Sequence, residues 1–459
     1  MLEKQTAFDV LAEAMKTGGN FAEIFLEDRR NHALQMRGGK LDTVLSGRRH
    51  GAGIRVFQNF SAVYVYTNDT SREGLLECAR RAAAAVKSTA PKMPSPLQVR
   101  EVASIHPIAQ LPTTVKATKK AEKLRAAHAA ASASPDVKQV VLGYTDSEQD
   151  VWIANSEGLY TSDRRVYSRM ACSAVASDGT ENQTGTCNPG AMTGFELFDH
   201  RVDPEKVGKE AAGIAVTMLH APVCPAGVMP VVIDNGFGGV IFHEACGHSL
   251  EATVVAFGTS EFVGKLGQKI AADCVTAIDD GTMPNEWGSL NMDDEGTPTN
   301  RLVLIENGIL KNYMVDKLNG LRMNMPSTGS SRRESYAFAP TSRMRNTYIA
   351  AGQDDEQEMI RTMGNGLYAR RMGGGSVDPA TGEFNFNVME GYLVKDGKID
   401  SPVRGASLIG RGSEVLKLID RVGRDMQMSQ GMCGSVSGSV PTNVGQPMIR
   451  VSRLSVGGR

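Results

Sequence analysis

Apolar and polar positions along this 459-residue chain change period several times, and each change predicts a new element. FAEIFLED alternates apolar with polar, as a half-buried strand does. HALQMRGGKLDTVLSG predicts a hairpin around Gly38 and Gly39, and GIRVFQNFSAVYVYT a further strand pair. SREGLLECARRAAAAVKS switches to helical spacing, with Ser71 as N-cap and Gly74 a weak spot in the first turn. From Ser88 to Pro112 the chain is proline-rich and aperiodic, which predicts a linker or extended connection. VKATKKAEKLRAAHAAASA then reads as an Ala/Lys-rich helix, and residues 137–179 as three strands joined by polar turns. HRVDPEKVGKEAAGIAVTMLHA is a further helix, with Asp203 as N-cap and Pro204 at the first helical position.

Beyond the Pro222-Val223-Cys224-Pro225 segment, strands dominate. VMPVVID reads as a buried strand, and Gly236-Phe237-Gly238-Gly239 as the tight turn that launches the helix VIFHEACGHSLEATVVA. RLVLIENGILKNYMVD and EGYLVKDGKIDSPVRG predict hairpins tipped by Asn307-Gly308 and Asp396-Gly397, dipeptides that accept the left-handed conformations of a type I′ turn. The tail from 426 to 459 is rich in Gly, Ser and Val, which fits short strands with close backbone approaches. The expected fold is therefore α+β. An N-terminal α+β domain covers 1–220, with sub-units at about 1–90 and 112–220, and a β-rich C-terminal domain covers 221–459 and carries the helix with the histidines.

Composition narrows the class. Fifty basic against 51 acidic residues leave no electrostatic footprint for nucleic acid or an anionic membrane. Seven cysteines, widely spaced and without a CxxC pair, point to free thiols in a reducing compartment. The N-terminus lacks the apolar core of a signal peptide, and no apolar run reaches the ~18 residues of a membrane span. The expected location is cytoplasmic.

The chemistry concentrates in His243-Glu244-Ala245-Cys246-Gly247-His248. A catalytic zinc takes three protein ligands and leaves one position open. The common helical motif spaces its histidines i, i+4; here the spacing is i, i+5, which leaves the rings ~140° apart on a regular helix. Gly247 offers a kink, a π-type turn or a local unwinding that swings His248 back toward His243. On spacing alone the stretch is either a distorted metal-binding helix or no site at all, since paired histidines on a buried helix are more often hydrogen-bonded core residues. Glu244 stands beside the first histidine, where a carboxylate can take a proton from an attacking water. Three residues compete for the third ligand position: Glu251, one turn beyond His248; Cys246, between the histidines; and Cys433, in the glycine-bounded GMCGSVSG. Spacing does not choose among them.

Other stretches carry weaker signals. Asp279-Asp280-Gly281 and Asp293-Asp294-Glu295-Gly296 lack the alternate oxygen ligands and terminal glutamate of a calcium loop, so turn and cap chemistry is expected of them. Arg332-Arg333-Glu334-Ser335-Tyr336 could supply an oxyanion partner through an arginine or through Tyr336, but a solvated charged loop with a packed tyrosine is as ordinary.

These segments, with AIDDGTMPNEWGSLNMDDEGTP, GSSRRESYAF, RMRNTYI, GGGSVDPATGEF and VRGASLIG in the same order, resemble the TldD/PmbA family of metallopeptidases, and specifically its TldD branch. The match is densest from Met229 to the VGQP near the C-terminus. Ser249 to Thr253 departs from the family pattern in the residues flanking Leu250-Glu251. The resemblance implies a zinc ion held by His243, His248 and Cys433, with Glu244 as general base. It also implies a dimer, either with a PmbA-like (TldE) partner subunit or with itself, that hydrolyses unfolded or extended peptides. The alternative from another class is a non-catalytic interaction or regulatory subunit, such as a regulator of a topoisomerase.

Overall fold

The computed structural model describes residues 1–86, 90–378 and 381–458. Alternating residues dominate the first half, and they assemble one eight-stranded sheet. Its strands are β1 (Phe21–Arg37), β2 (Lys40–Gln58), β3 (Ser61–Thr67), β4 (Gln98–Val99), β5 (Val137–Asn155), β6 (Leu159–Ser177), β7 (Asn182–Cys187) and β8 (Gly190–Ala191). They run in the order β3-β2-β1-β5-β6-β4, with β7 and β8 also on β6, so segments before and after the proline-rich stretch share one sheet. The expected hairpin at Gly38-Gly39 forms as the tip of two very long strands rather than as a local unit. Residues 137–179, expected as three strands, are two 19-residue strands and a turn, because polar residues in mid-strand meet polar partners across the sheet.

Helices cover this sheet where the 3.6-residue period predicted them. The helix Arg72–Ala84 starts at Ser71, whose hydroxyl accepts from the Gly74 amide at 3.1 Å. It was expected to run to Ser88; Lys87 to Thr89 lie outside the described residues. Pro204–Leu219 starts at Asp203, which accepts from the Glu205 amide at 2.9 Å. Ala117–Ala131 packs its alanine face beneath β5 with Leu124 and Ala127 wholly buried.

The second half is β-rich, as expected. It gives β9 (Gly227–Ile233), β10 (Ala277–Asp280), β11 (Arg301–Glu306), β12 (Ile309–Leu310), the short pair β13 and β14 (Ser331–Arg332, Thr341–Ser342), and β15 (Asn346–Ile349). Then come β16 (Gly366–Val377), β17 (Glu383–Lys395), β18 (Lys398–Val403), β19 (Ser407–Arg411) and β20 (Ile419–Val422). The chain closes with β21 (Gln427–Ser435), β22 (Gly438–Gln446) and β23 (Ile449–Gly457). One sheet runs β12-β11-β10-β15-β22-β21. The other runs β16-β9-β23-β19-β17-β18, and because β16 also pairs with β17 it closes into a five-strand ring. Both predicted hairpin tips carry positive φ at both residues: 48° and 81° at Asn307-Gly308, 49° and 73° at Asp396-Gly397. The largest apolar core lies between ring and open sheet, and Ile241, Phe242, Ala245, Cys246 and Leu250 sit inside it. Among the described residues, no helix is long and apolar enough to cross a membrane.

Candidate metal centre

The segment after β9 is not one helix. Gly236 turns the chain with φ 68°, and a Cβ on Gly239 would stand 2.5 Å from the Gly445 backbone of β22, so glycine lets the turn lie directly on that strand. Val240–Phe242 is a short α turn; His243–Gly247 is a π-helix, closed by the His248 amide donating to the His243 carbonyl five residues back. A 3-10 turn follows, and at Glu251 the backbone becomes extended before the helix Ala252–Val255. The π turn answers the spacing problem: its wider loop sets residue i+5 almost above residue i, where an α-helix would carry it round the far side. The imidazoles of His243 and His248 lie edge to face, with centroids 5.0 Å apart. Gly247 serves this by being small, not by being flexible. Its φ of −53° suits any residue, but a Cβ there would meet the Met344 sulfur at 2.3 Å.

Cys433 comes from β21, 185 residues along, and its Sγ lies 3.4 Å from His248 Nε2. Ligand atoms of His243, His248 and Cys433 all lie within 4.8 Å of one another. A tetrahedral zinc with bonds of 2.0–2.3 Å asks for edges of about 3.5 Å. Two imidazoles and a cysteine sulfur, mutually close, fit that ion.

The surroundings orient the donors. His243 Nδ1 is 3.2 Å from Thr347 Oγ1 on β15, which leaves Nε2 for the cluster. His248 Nδ1 is 3.4 Å from Glu251 Oε2, while its Nε2 faces the sulfur. Glu251 thus sits behind the second imidazole and not among the donors. Its other oxygen lies 3.9 Å from Arg343 Nε. Burial pushes the Cys433 thiol up, but the imidazoles of His243 and His248 outweigh it and bring the group down to about 3, so the sulfur is a thiolate at neutral pH. Burial works against protonation of His248, yet Glu251 and the Cys433 sulfur raise it well above the ordinary imidazole value. Glu244, partly exposed, holds Oε2 3.7 Å from His248 Nε2, within reach of the cluster.

The other candidates fall elsewhere. Cys246 points into the core, where burial raises its thiol well above the usual range. Tyr336 packs against Tyr66 and over Gly51 on the N-terminal sheet. Arg332 and Arg333, for which a solvated loop and an oxyanion role read equally well in the sequence, are buried: 3% and 5% exposed. Arg333 meets Glu23 of β1 at 2.7 Å, a partner 310 residues away that local reading does not supply. Of the acidic stretches, Asp280 and Asp293 do cap turns, accepting from the amides of Thr282 and Glu295 at 2.8 and 3.0 Å. Asp279 and Asp294 instead pair with Arg345 and Arg165, at 2.7 and 2.6 Å.

A mixed α+β fold whose β-rich half gathers two imidazoles, a thiolate and a carboxylate defines a metallohydrolase-like architecture. Three family models cover nearly all of it: PmbA/TldA metallopeptidase domain 1 over residues 22–86, the central domain over 110–219 and the C-terminal domain over 226–458. The chain belongs to the PmbA/TldD family of metallopeptidases. It is 34% identical to the metalloprotease TldD homolog of Haemophilus influenzae, over 100% of this chain and 97% of that one. It is 36% identical to a metalloprotease of Methanothermobacter thermautotrophicus, over 95% of each. A Saccharolobus solfataricus relative, 34% identical over 53% of this chain and 54% of its own, is named a zinc metalloprotease TldD homolog. Among solved structures, TldE from Thermococcus kodakarensis superposes with a TM-score of 0.75 at 18% identity, covering 96% of this chain and 97% of its own. A Thermotoga maritima protein described as a candidate modulator of DNA gyrase gives 0.79 at 21%, covering 95% and 96%.

Proposed function

We propose that this chain is a TldD-type, zinc-dependent peptidase that hydrolyses unfolded or extended peptides. The observation that carries the reading is the convergence of His243, His248 and Cys433 with Glu244 beside them, 3.7 Å from His248 Nε2. Bound zinc supplies Lewis acidity at neutral pH, acidifying water and polarising a carbonyl. Thr347 and Glu251 hold the two imidazoles by their Nδ1 atoms, so that both Nε2 atoms and the Cys433 sulfur converge. Glu244 Oε2 takes the proton from the attacking water and returns it to the leaving amine nitrogen.

Cys433 lies on β21, the last strand in its sheet's order among the described residues. An extended substrate adds there as a further strand, read through backbone hydrogen bonds, which favours unfolded chains over folded ones. Pairing with a PmbA-like subunit or with a second copy would enclose that edge. The test compares parent, Glu244→Gln and His243→Ala on an unfolded casein-type substrate, with metal content measured on each. Glu244→Gln should lose cleavage by at least about 100-fold with zinc retained, whereas His243→Ala should lose both. Cleavage surviving in Glu244→Gln removes that residue from the mechanism. A parent that takes up zinc but cuts nothing supports a non-catalytic subunit.

A further inference from the structure

The N-terminal sheet turns a polar face toward the hairpin that carries Cys433. In register across β1, β5 and β6 stand Arg29, Gln149 and Arg165, and one step along Asn31, Ser147 and Tyr167. Alternation puts both rows on the same face. A sheet face covered by another layer is ordinarily apolar; this one is basic and encloses a cavity of about 220 Å³ with the C-terminal half.

Five arginines line the cavity, Arg29, Arg165, Arg169, Arg332 and Arg333, against two carboxylates, Asp294 and Glu334. Both carboxylates already have partners. Asp294 accepts from Arg165 Nη1 and from the Arg333 amide, each at 2.6 Å, and Glu334 accepts from the Ser439 amide at 2.9 Å. Arg333 is matched by Glu23. Arg29, Arg169 and Arg332 have no carboxylate partner among the described residues. Arg332 donates only to neutral oxygens, the Met344 carbonyl at 2.7 Å and Thr442 Oγ1 at 3.5 Å, and burial pulls it down to about 10. Two further buried donors, Arg29 Nε and Ser147 Oγ, have no hydrogen-bond partner among the described residues. Buried cations and orphan donors around a void are costly alone and are compensated when an anion enters. The guanidinium fork matches a carboxylate in particular. Trp287 and Tyr167, edge to face at 5.3 Å, add an apolar wall suited to a carboxylate on a carbon stem.

The far wall is the proposed substrate strand. Met432, next to Cys433, lines the cavity, as does Pro441, its partner across the hairpin; Trp287 Nε1 donates to the Gly431 carbonyl at 2.8 Å. We propose that this cavity is a carboxylate-binding subsite, taking the C-terminal carboxylate or an acidic side chain of a peptide held along β21. The proposal rests on the peptidase reading for its ligand and names a substrate class within it.

The experiment measures binding of fluorescent unfolded peptides to the metal-free chain by anisotropy, so that it does not depend on turnover. One peptide pair differs in a free or amidated C-terminus, another in an internal Glu or Gln. The carboxylate form of at least one pair should bind about tenfold tighter or more. That preference should collapse in Arg169→Gln, whose residue is partly exposed, and in Arg29→Gln. A preference confined to the first pair assigns the chain end, one confined to the second an acidic side chain. Equal affinities within both pairs for the parent chain overturn the proposal, as does a preference undiminished in both variants. Should the chain cut no peptide, an intact carboxylate preference still upholds the subsite while the peptidase reading fails.

Discussion

Gly247→Ala tests the idea that the π turn exists to bring two imidazoles onto one ion. The added methyl would start 2.3 Å from Met344 Sδ, where ordinary contact begins at 3.4 Å, so about 1.1 Å must be found. Met344 has little freedom to supply it. The residue is fully buried, its carbonyl accepts from Arg332 Nη1 at 2.7 Å, and Arg343 and Arg345 on either side are buried and multiply bonded. The overpacking costs about 1–3 kcal/mol, offset by up to about 1 kcal/mol from alanine's better helix propensity, for a net loss of roughly 0–3 kcal/mol. Metal geometry tolerates far less: ligand distances are held to about 0.2 Å. Displacing His248 by even half of the required shift should weaken zinc by about 10- to 100-fold. The measurement is a competition titration of the metal-free variant against a chromophoric chelator, beside a urea melt of the same sample. Affinity should fall steeply while the midpoint moves modestly, and the double variant Gly247→Ala with Met344→Ala should recover most of the affinity. If the single variant binds zinc as tightly as the parent, Met344 has yielded without disturbing the turn, and the argument from close packing fails.

Cys433→Ser should weaken zinc by at least about 100-fold, because a hydroxyl is a far poorer ligand than a thiolate; unchanged metal content by elemental analysis would return Glu251 to contention. Zinc uptake by the metal-free chain at pH 7 should release about one proton. It comes from His248, whose protonation is favoured by Glu251 and Cys433, and not from Cys433, already ionised well below neutrality. The sign follows: below the raised value of His248 zinc competes with a proton, so affinity falls as pH drops. Calorimetry in buffers of different ionisation enthalpy reads the proton count, and a count of zero at pH 7 refutes the assignment. Arg345→Met should destabilise the chain by about 3–5 kcal/mol in a urea melt. It leaves Asp279, wholly buried, without its 2.7 Å side-chain partner, and four uncharged oxygens without their donor; a loss under about 1 kcal/mol would mean that the buried pair and its hydrogen bonds contribute little to stability.

What could be read from the sequence was local, and the reason is physical. A helix cap or a type I′ tip is decided within four residues, so Ser71, Asp203, Asn307-Gly308 and Asp396-Gly397 announce themselves. The long strands β5 and β6 do not, because Thr145, Ser147 and Gln149 look like turn material until Arg165, Tyr167 and Arg169 face them across the sheet. The same blindness makes Arg332 and Arg333 look solvated, since Glu23 arrives from the other end of the chain. The metal motif lies between these extremes. Its histidines and glutamate are adjacent in sequence, but their i, i+5 spacing argues against chelation until the His248 amide reaches back to the His243 carbonyl. No periodicity encodes the third donor, because β21 is held beside His248 through β22, which pairs in turn with β15, the strand whose Thr347 steadies His243. The two histidines are thus a local motif that cannot close a site alone. The sheet that delivers the thiolate also fixes the first imidazole, so the cluster needs β15, β22 and β21 side by side in one sheet.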